Sequence, residues 1–145
     1  MGGILNWLRS VLPDSSTGRP PLLDIYEVAN ERSRALYPPR RGAVGDETDA
    51  ARHLLGAAWL AQHLGERPAR WVGGAYEWIN SDGTPEERAM DLRNNELGAA
   101  LGARLDHRDR AALEDAVRRA IESREAVVLR ARGGLARYKE CRCGR

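Results

Sequence analysis

Apolar residues recur at intervals of three and four along most of the chain, a spacing that predicts a succession of helices. Ile4, Leu8 and Val11, with Leu5, Trp7 and Leu12 alongside, mark an amphipathic helix over residues 1–12. Residues 13–21, rich in Pro, Ser and Gly, read as a linker. A second helix follows from Leu22 to Tyr37, with Leu22, Ile25, Ala29 and Leu36 on one side, and Pro38 and Pro39 stop it. The third helix begins near Asp46 and runs to Leu64. Asp46, Glu47 and Asp49 in its first turns suit the helix dipole, and Gly65 is its natural stop. The fourth spans Pro68 to Ile79. The fifth opens with a capping box, Thr84 with Glu87 three residues on, has Pro85 in its first position, and runs to about Leu105. Asp106 is the expected cap of a sixth helix through Ser123, whose apolar face is Leu113, Val117 and Ile121. Ala126–Leu129 either closes that helix or forms a short strand, and Gly133-Gly134 breaks the chain. The expectation is an all-α, single-domain bundle of about six helices. Residues 22–125 form the helical domain, and residues 126–145 an irregular basic tail.

The chain has 145 residues and a hydrophobic fraction of 42%, enough for one core. Phe is absent, so four Trp and four Tyr supply the aromatic volume. Lys+Arg is 23 against Asp+Glu 21, a net charge of +2, which is too balanced to argue for nucleic acid. The arginine-rich stretch from Arg118 to Arg145 lacks an aromatic platform, and its plain reading is a solvated end. No stretch is long and apolar enough to span a bilayer. The first helix carries one basic residue, Arg9, which favours docking on its own domain or on a protein partner over peripheral membrane contact. Cys141 and Cys143 make neither a disulfide framework nor a zinc site. They read as tail thiols of a reducing compartment: cytoplasm or a phage particle, with a non-classical secretion route left open.

Polar residues sit on the small-residue faces of three consecutive helices. Asp49, His53, Gly56 and Leu60 share one face of the third. An acid and an imidazole one turn apart suit a shared cation or a carboxylate that orients a histidine. Gly56 in a helix interior implies the close approach of another helix or a ligand. On the fourth helix Gly73 and Gly74 thin the face of Glu77, and Trp71 and Trp78 flank it; a carboxyl beside indoles is pushed up, which suits a general acid. On the fifth, Asp91, Asn95, Gly98 and Gly102 form one stripe with Asn94 beside it. If the faces meet, three acids surround one histidine, and a proton, an arginine such as Arg52 or Arg88, or a divalent cation has to compensate. His63 and His107 receive no role.

The segments Asp49-Ala50-Ala51-Arg52-His53, Trp59, Glu77 and Met90-Asp91-Leu92-Arg93-Asn94-Asn95-Glu96-Leu97-Gly98 resemble the signature of a bacterial and phage domain family without a settled activity. The resemblance covers about Asp46 to Gly102. It implies a terminal module of large secreted or toxin-like proteins and marks Asp49, Arg52, His53, Glu77, Asp91, Asn94, Asn95 and Gly98 as signature positions. Tyr76 stands where the family often has His, which argues against a two-histidine metal site, and no metal ligand is assigned. Two functional expectations follow. One is a small hydrolase acting on a bacterial envelope polymer, peptide or lipid, with His53, Glu77 and Asp91 catalytic and Asp49, Arg52, Asn94 and Asn95 in support. The other is a phage or bacterial adaptor, in which the cluster only fixes helix register and the first helix binds a protein partner.

Overall fold

A computed structural model describes residues 18–39, 45–79 and 83–129, and the backbone of 135–137. Among them five α-helices dominate: α1 (Ile25–Leu36), α2 (Glu47–Leu64), α3 (Glu66–Ile79), α4 (Pro85–Arg104) and α5 (Arg110–Glu122). A 3-10 turn, Leu22–Asp24, leads into α1. The mostly helical expectation is met. The expected first helix, Cys141 and Cys143 lie outside the described residues.

The expected tail does not begin irregularly. Val127–Leu129 (β1) pairs antiparallel with Leu135–Arg137 (β2), Val127 opposite Arg137 and Leu129 opposite Leu135. Ala126, Val127 and Val128 are buried, so the chain just after α5 belongs to the core. Two adjacent β-branched residues suit a strand better than a further helical turn. The end of the expected linker is likewise docked. Gly18, Pro20 and Pro21 are buried, Arg19 N–H donates to His107 O at 2.8 Å, and His63 Nε2 donates to Pro20 O at 2.7 Å.

The capping chemistry falls largely where expected. Asp46 accepts from Asp49 N–H at 3.0 Å at the head of α2. At α4, Thr84 Oγ1 accepts from Glu87 N–H at 3.2 Å while Glu87 Oε2 accepts from Thr84 N–H at 2.7 Å. Asp109 rather than Asp106 caps α5, accepting from Ala112 N–H at 2.9 Å; Asp106 instead holds the Arg108 backbone in the preceding turn. α3 begins at Glu66, directly after the positive-φ Gly65, with Pro68 inside its first turn, where no amide donor is needed.

Helix α2 is the axis of the bundle. Its Leu54, Leu55, Ala58 and Trp59 meet Ile25 and Ala29 of α1, Leu113, Val117 and Ile121 of α5, and Val128 of β1 in one core. Its other side receives α4 at very short range. A Cβ on Gly98 would sit 2.9 Å from Leu54 Cα, and one on Gly102 would sit 2.6 Å from Ala58 Cα. Only glycine lets the two backbones touch there. Gly56, by contrast, is not demanded by packing: the nearest atom to its would-be Cβ is Ala29 Cβ at 3.9 Å, an ordinary contact.

A candidate polar site around His53

The close crossing of α2 and α4 brings His53 against Asp91 and Asn95, and α3 lies across both with Glu77 turned inward. Asp49, Glu77 and Asn95 are buried, and His53 and Asp91 are nearly so. Gly73 of α3 gives room for this layer, since its would-be Cβ already lies 3.4 Å from Asn95 Nδ2.

The hydrogen-bond directions orient the imidazole. Asn95 Nδ2 donates to Glu77 Oε1 at 3.3 Å, which turns Asn95 Oδ1 toward His53 Nδ1 at 3.1 Å. A carbonyl oxygen accepts only, so Nδ1 carries the proton and Nε2 presents its lone pair. Burial lowers the His53 pKa, opposed by the nearby Asp49 and Glu77 carboxylates, so the ring is held neutral. Around Nε2 stand Asp91 Oδ1 at 3.0 Å, Arg52 Nη2 at 3.2 Å and Asp49 Oδ1 at 3.7 Å. Arg52 also donates to Asp49 Oδ1. The other Asp49 oxygen accepts from Gly45 N–H at 2.7 Å.

Gly45 has φ +76°, and a Cβ there would lie 2.7 Å from the Leu129 side chain. Its carbonyl accepts from Leu129 N–H at 2.7 Å, so one glycine joins β1 to the carboxylate of the site. Nothing in the local sequence pattern pointed to it, because the partner strand is 84 positions away.

Asp91 is the acid with the most altered chemistry. Burial, then the nearby Asp49 and Glu77 charges, push its carboxyl up to about 7. Its Oδ1 is enclosed and has no hydrogen-bond partner among the described residues, although Nε2 is 3.0 Å away; the two atoms do not meet in hydrogen-bond geometry. The indole cage expected around Glu77 is absent. Trp71 and Trp78 are 76% and 71% exposed, roughly 100–120° around α3 from Glu77. Glu77 instead touches Asn95 and stands 3.6 Å from His53 Nδ1, behind the ring.

Asn94 is not in the cluster. Its amide pairs with the strand backbone, Nδ2 donating to Val127 O at 2.8 Å and Oδ1 accepting from Val127 N–H at 2.9 Å. The hundred-degree step between neighbouring helix positions sends Asn94 to the ribbon and Asn95 to the histidine. Of the two arginines expected to compensate the acids, Arg52 does so, while Arg88 stacks on Trp78 at 5.6 Å from the ring centre. Two surface clefts, of about 410 Å³ beside Leu101 and Arg119 and about 430 Å³ beside Tyr37 and Thr48, lie away from the cluster.

A family model described as Domain of unknown function (DUF6973) matches residues 19–125. The chain belongs to this family. The DUF6973 match contains all five helices and every residue of the cluster, and ends just before β1. Comparison with curated proteins and with solved structures gives no match. No described helix is long and apolar enough to cross a membrane.

Proposed function

We propose that this DUF6973 chain is a small hydrolase-like module, a unit of bacterial or phage proteins acting on an envelope polymer, peptide or lipid. The observation that carries the reading is the neutral His53 ring, locked from behind by Asn95 and Glu77, with its Nε2 lone pair 3.0 Å from the enclosed Asp91 oxygen. Such a pair sets Asp91 Oδ1, an acceptor with no hydrogen-bond partner among the described residues, beside a neutral imidazole in a poorly hydrated place, and perturbed groups of this kind gather where water is to be activated. His53 Nε2 takes the proton of a water whose oxygen attacks the substrate, and returns it to the leaving group as the scissile bond breaks. Arg52, which contacts Asp49 and faces Nε2, offers a positive charge for the oxyanion that develops. His53 and Asp91 act, Asp49 and Arg52 set the charge, and Asn95 and Glu77 position the ring.

The test is hydrolysis of peptidoglycan, peptide and phospholipid substrates by the wild type and by His53→Gln and Asp91→Asn. Loss of at least a hundredfold in both variants, with melting preserved, is expected. Full activity in either variant sinks the reading.

A second reading, an adaptor, is favoured by one surface. Trp71, Tyr76, Trp78 and Ile79 stand exposed on the outward side of α3, where a free monomer seldom displays such a patch. The cluster would then serve as a structural network. Trp71→Ala with Trp78→Ala would abolish partner capture or self-association without lowering the melting temperature; unchanged association would remove this alternative.

A further inference from the structure

We propose that Asp49, His53 and Asp91 form a three-ligand site for a divalent transition-metal ion, which takes the place that the Arg52 guanidinium holds in this structure. The ion rests on the same cluster as the hydrolytic reading and would activate water in place of Nε2 and Asp91, which become its ligands, but binding itself stands or falls independently of catalysis.

Three observations lead there. First, one ligand atom from each of the three residues lies within 4.8 Å of the other two. Two ligands about 2.1 Å from a tetrahedral zinc are ~3.4 Å apart. The separations from Nε2, 3.0 Å to Asp91 and 3.7 Å to Asp49, bracket that value. Second, the two closest atoms are both acceptors that make no hydrogen bond to each other, and the enclosed Asp91 Oδ1 has no hydrogen-bond partner among the described residues. These two atoms are spaced so that one ion can be shared between them. Third, the ligand histidine has the support that metal-bound imidazoles use. Nδ1–H goes to Asn95 Oδ1 and Asn95 goes on to Glu77, which fixes the tautomer with Nε2 outward. Asp49 is held in the same way, by Gly45 N–H on its second oxygen.

Arg52 strengthens the case. Its Nη2 touches both Asp49 Oδ1 and Nε2, so the cluster already recruits a cation at this point. The side chain starts on the helical turn of the ligands and is 31% exposed, which leaves it a route into solvent when an ion arrives. Two carboxylates with one imidazole suit zinc or manganese better than calcium, and three protein ligands leave a position for water.

The experiment uses the full chain with Cys141→Ser and Cys143→Ser, which removes the only thiols as competing ligands. Zn²⁺ and Mn²⁺ are titrated calorimetrically into chelator-stripped protein, and Co²⁺ absorption reports the coordination. One ion per chain is expected. His53→Ala and Asp91→Ala should each weaken it at least tenfold, and Asn95→Ala some 10- to 100-fold through the freed ring. Arg52→Ala should retain or tighten binding, which a merely structural role for the cluster would not produce. Circular dichroism identifies which variants remain folded, and any one that does carries the test. Absence of uptake by the parent chain, or uptake indifferent to both ligand variants, overturns the proposal. Uptake dependent on His53 and Asp91 in a chain that hydrolyses nothing upholds the ion and removes the hydrolase. Hydrolysis that survives chelation in a chain taking up no ion does the reverse.

Discussion

Gly102→Ala tests the geometry on which everything else depends. The added methyl carbon would lie 2.6 Å from both Ala58 Cα and Ala58 C, where ordinary contact begins near 3.4 Å. These are backbone atoms of a central helix, so no rotamer relieves the overlap, and α4 has to move off α2 by most of an ångström. Overpacking of this kind costs ~3 kcal/mol, and the better helix propensity of alanine returns about 1 kcal/mol. A net loss of ~2 kcal/mol or more remains, which for a domain of this size lowers the melting temperature by roughly 6–10 °C. The shift also reaches the site, because Asn95 and Asp91 ride on α4 while His53 rides on α2. A displacement of that size breaks the 3.1 Å contact between Asn95 and His53. Differential scanning fluorimetry gives the stability, and the His53 ring resonances in an NMR spectrum report the contact. Gly74→Ala is the control: its Cβ would have nothing within 4 Å, so this variant should gain up to about 1 kcal/mol. A Gly102→Ala protein as stable as the wild type, with an unaltered His53 signal, would refute the crossing.

Other predictions concern charge and strand anchoring. In EDTA, Asp91→Asn should melt higher than the wild type above pH 7. The native carboxyl is raised from 3.8 to about 7, so its proton stabilises the fold fully below about pH 4, and that contribution is lost as pH rises to 7. Three units correspond to ~4 kcal/mol, reduced to ~2 kcal/mol by solvent screening of the partly buried carboxyl; a gain that does not fade toward pH 4 would contradict the assignment. Asn94→Ala strands both buried backbone groups of Val127 and should cost ~2–4 kcal/mol in denaturant unfolding, without altering the His53 resonances. Arg32→Ala removes a two-pronged bridge to Glu114, at 2.7 and 2.8 Å, that ties α1 to α5. About 1 kcal/mol should be lost, most of it recoverable as a smaller wild-type difference in 1 M salt; a loss indifferent to salt would point to packing of the arginine stem instead.

Helix existence was written locally. Periodic apolar positions, the Thr84–Glu87 capping box, Gly65 and the Pro38-Pro39 stop each act within a turn or two of themselves, and the elements appear close to where those signals put them. The inward stripe of Asp49 and His53, and that of Asp91 and Asn95, were equally legible, because helical spacing alone sets which residues share a face. Tertiary structure decided what those faces meet. Glu77 was expected in an indole cage, yet Trp71 and Trp78 look outward, since Ala69, Gly73 and Glu77 make the narrower side that α4 can approach. The raised carboxyl emerges at Asp91, from burial and from charges on two other helices that no local pattern displays. Asn94 and Asn95, adjacent and chemically identical, part company because a strand 33 residues on claims one of them and a histidine 42 residues back claims the other. Local spacing dictates direction relative to the helix axis; only the packing of one axis on another dictates the partner, and the chemistry of this site resides in the partners.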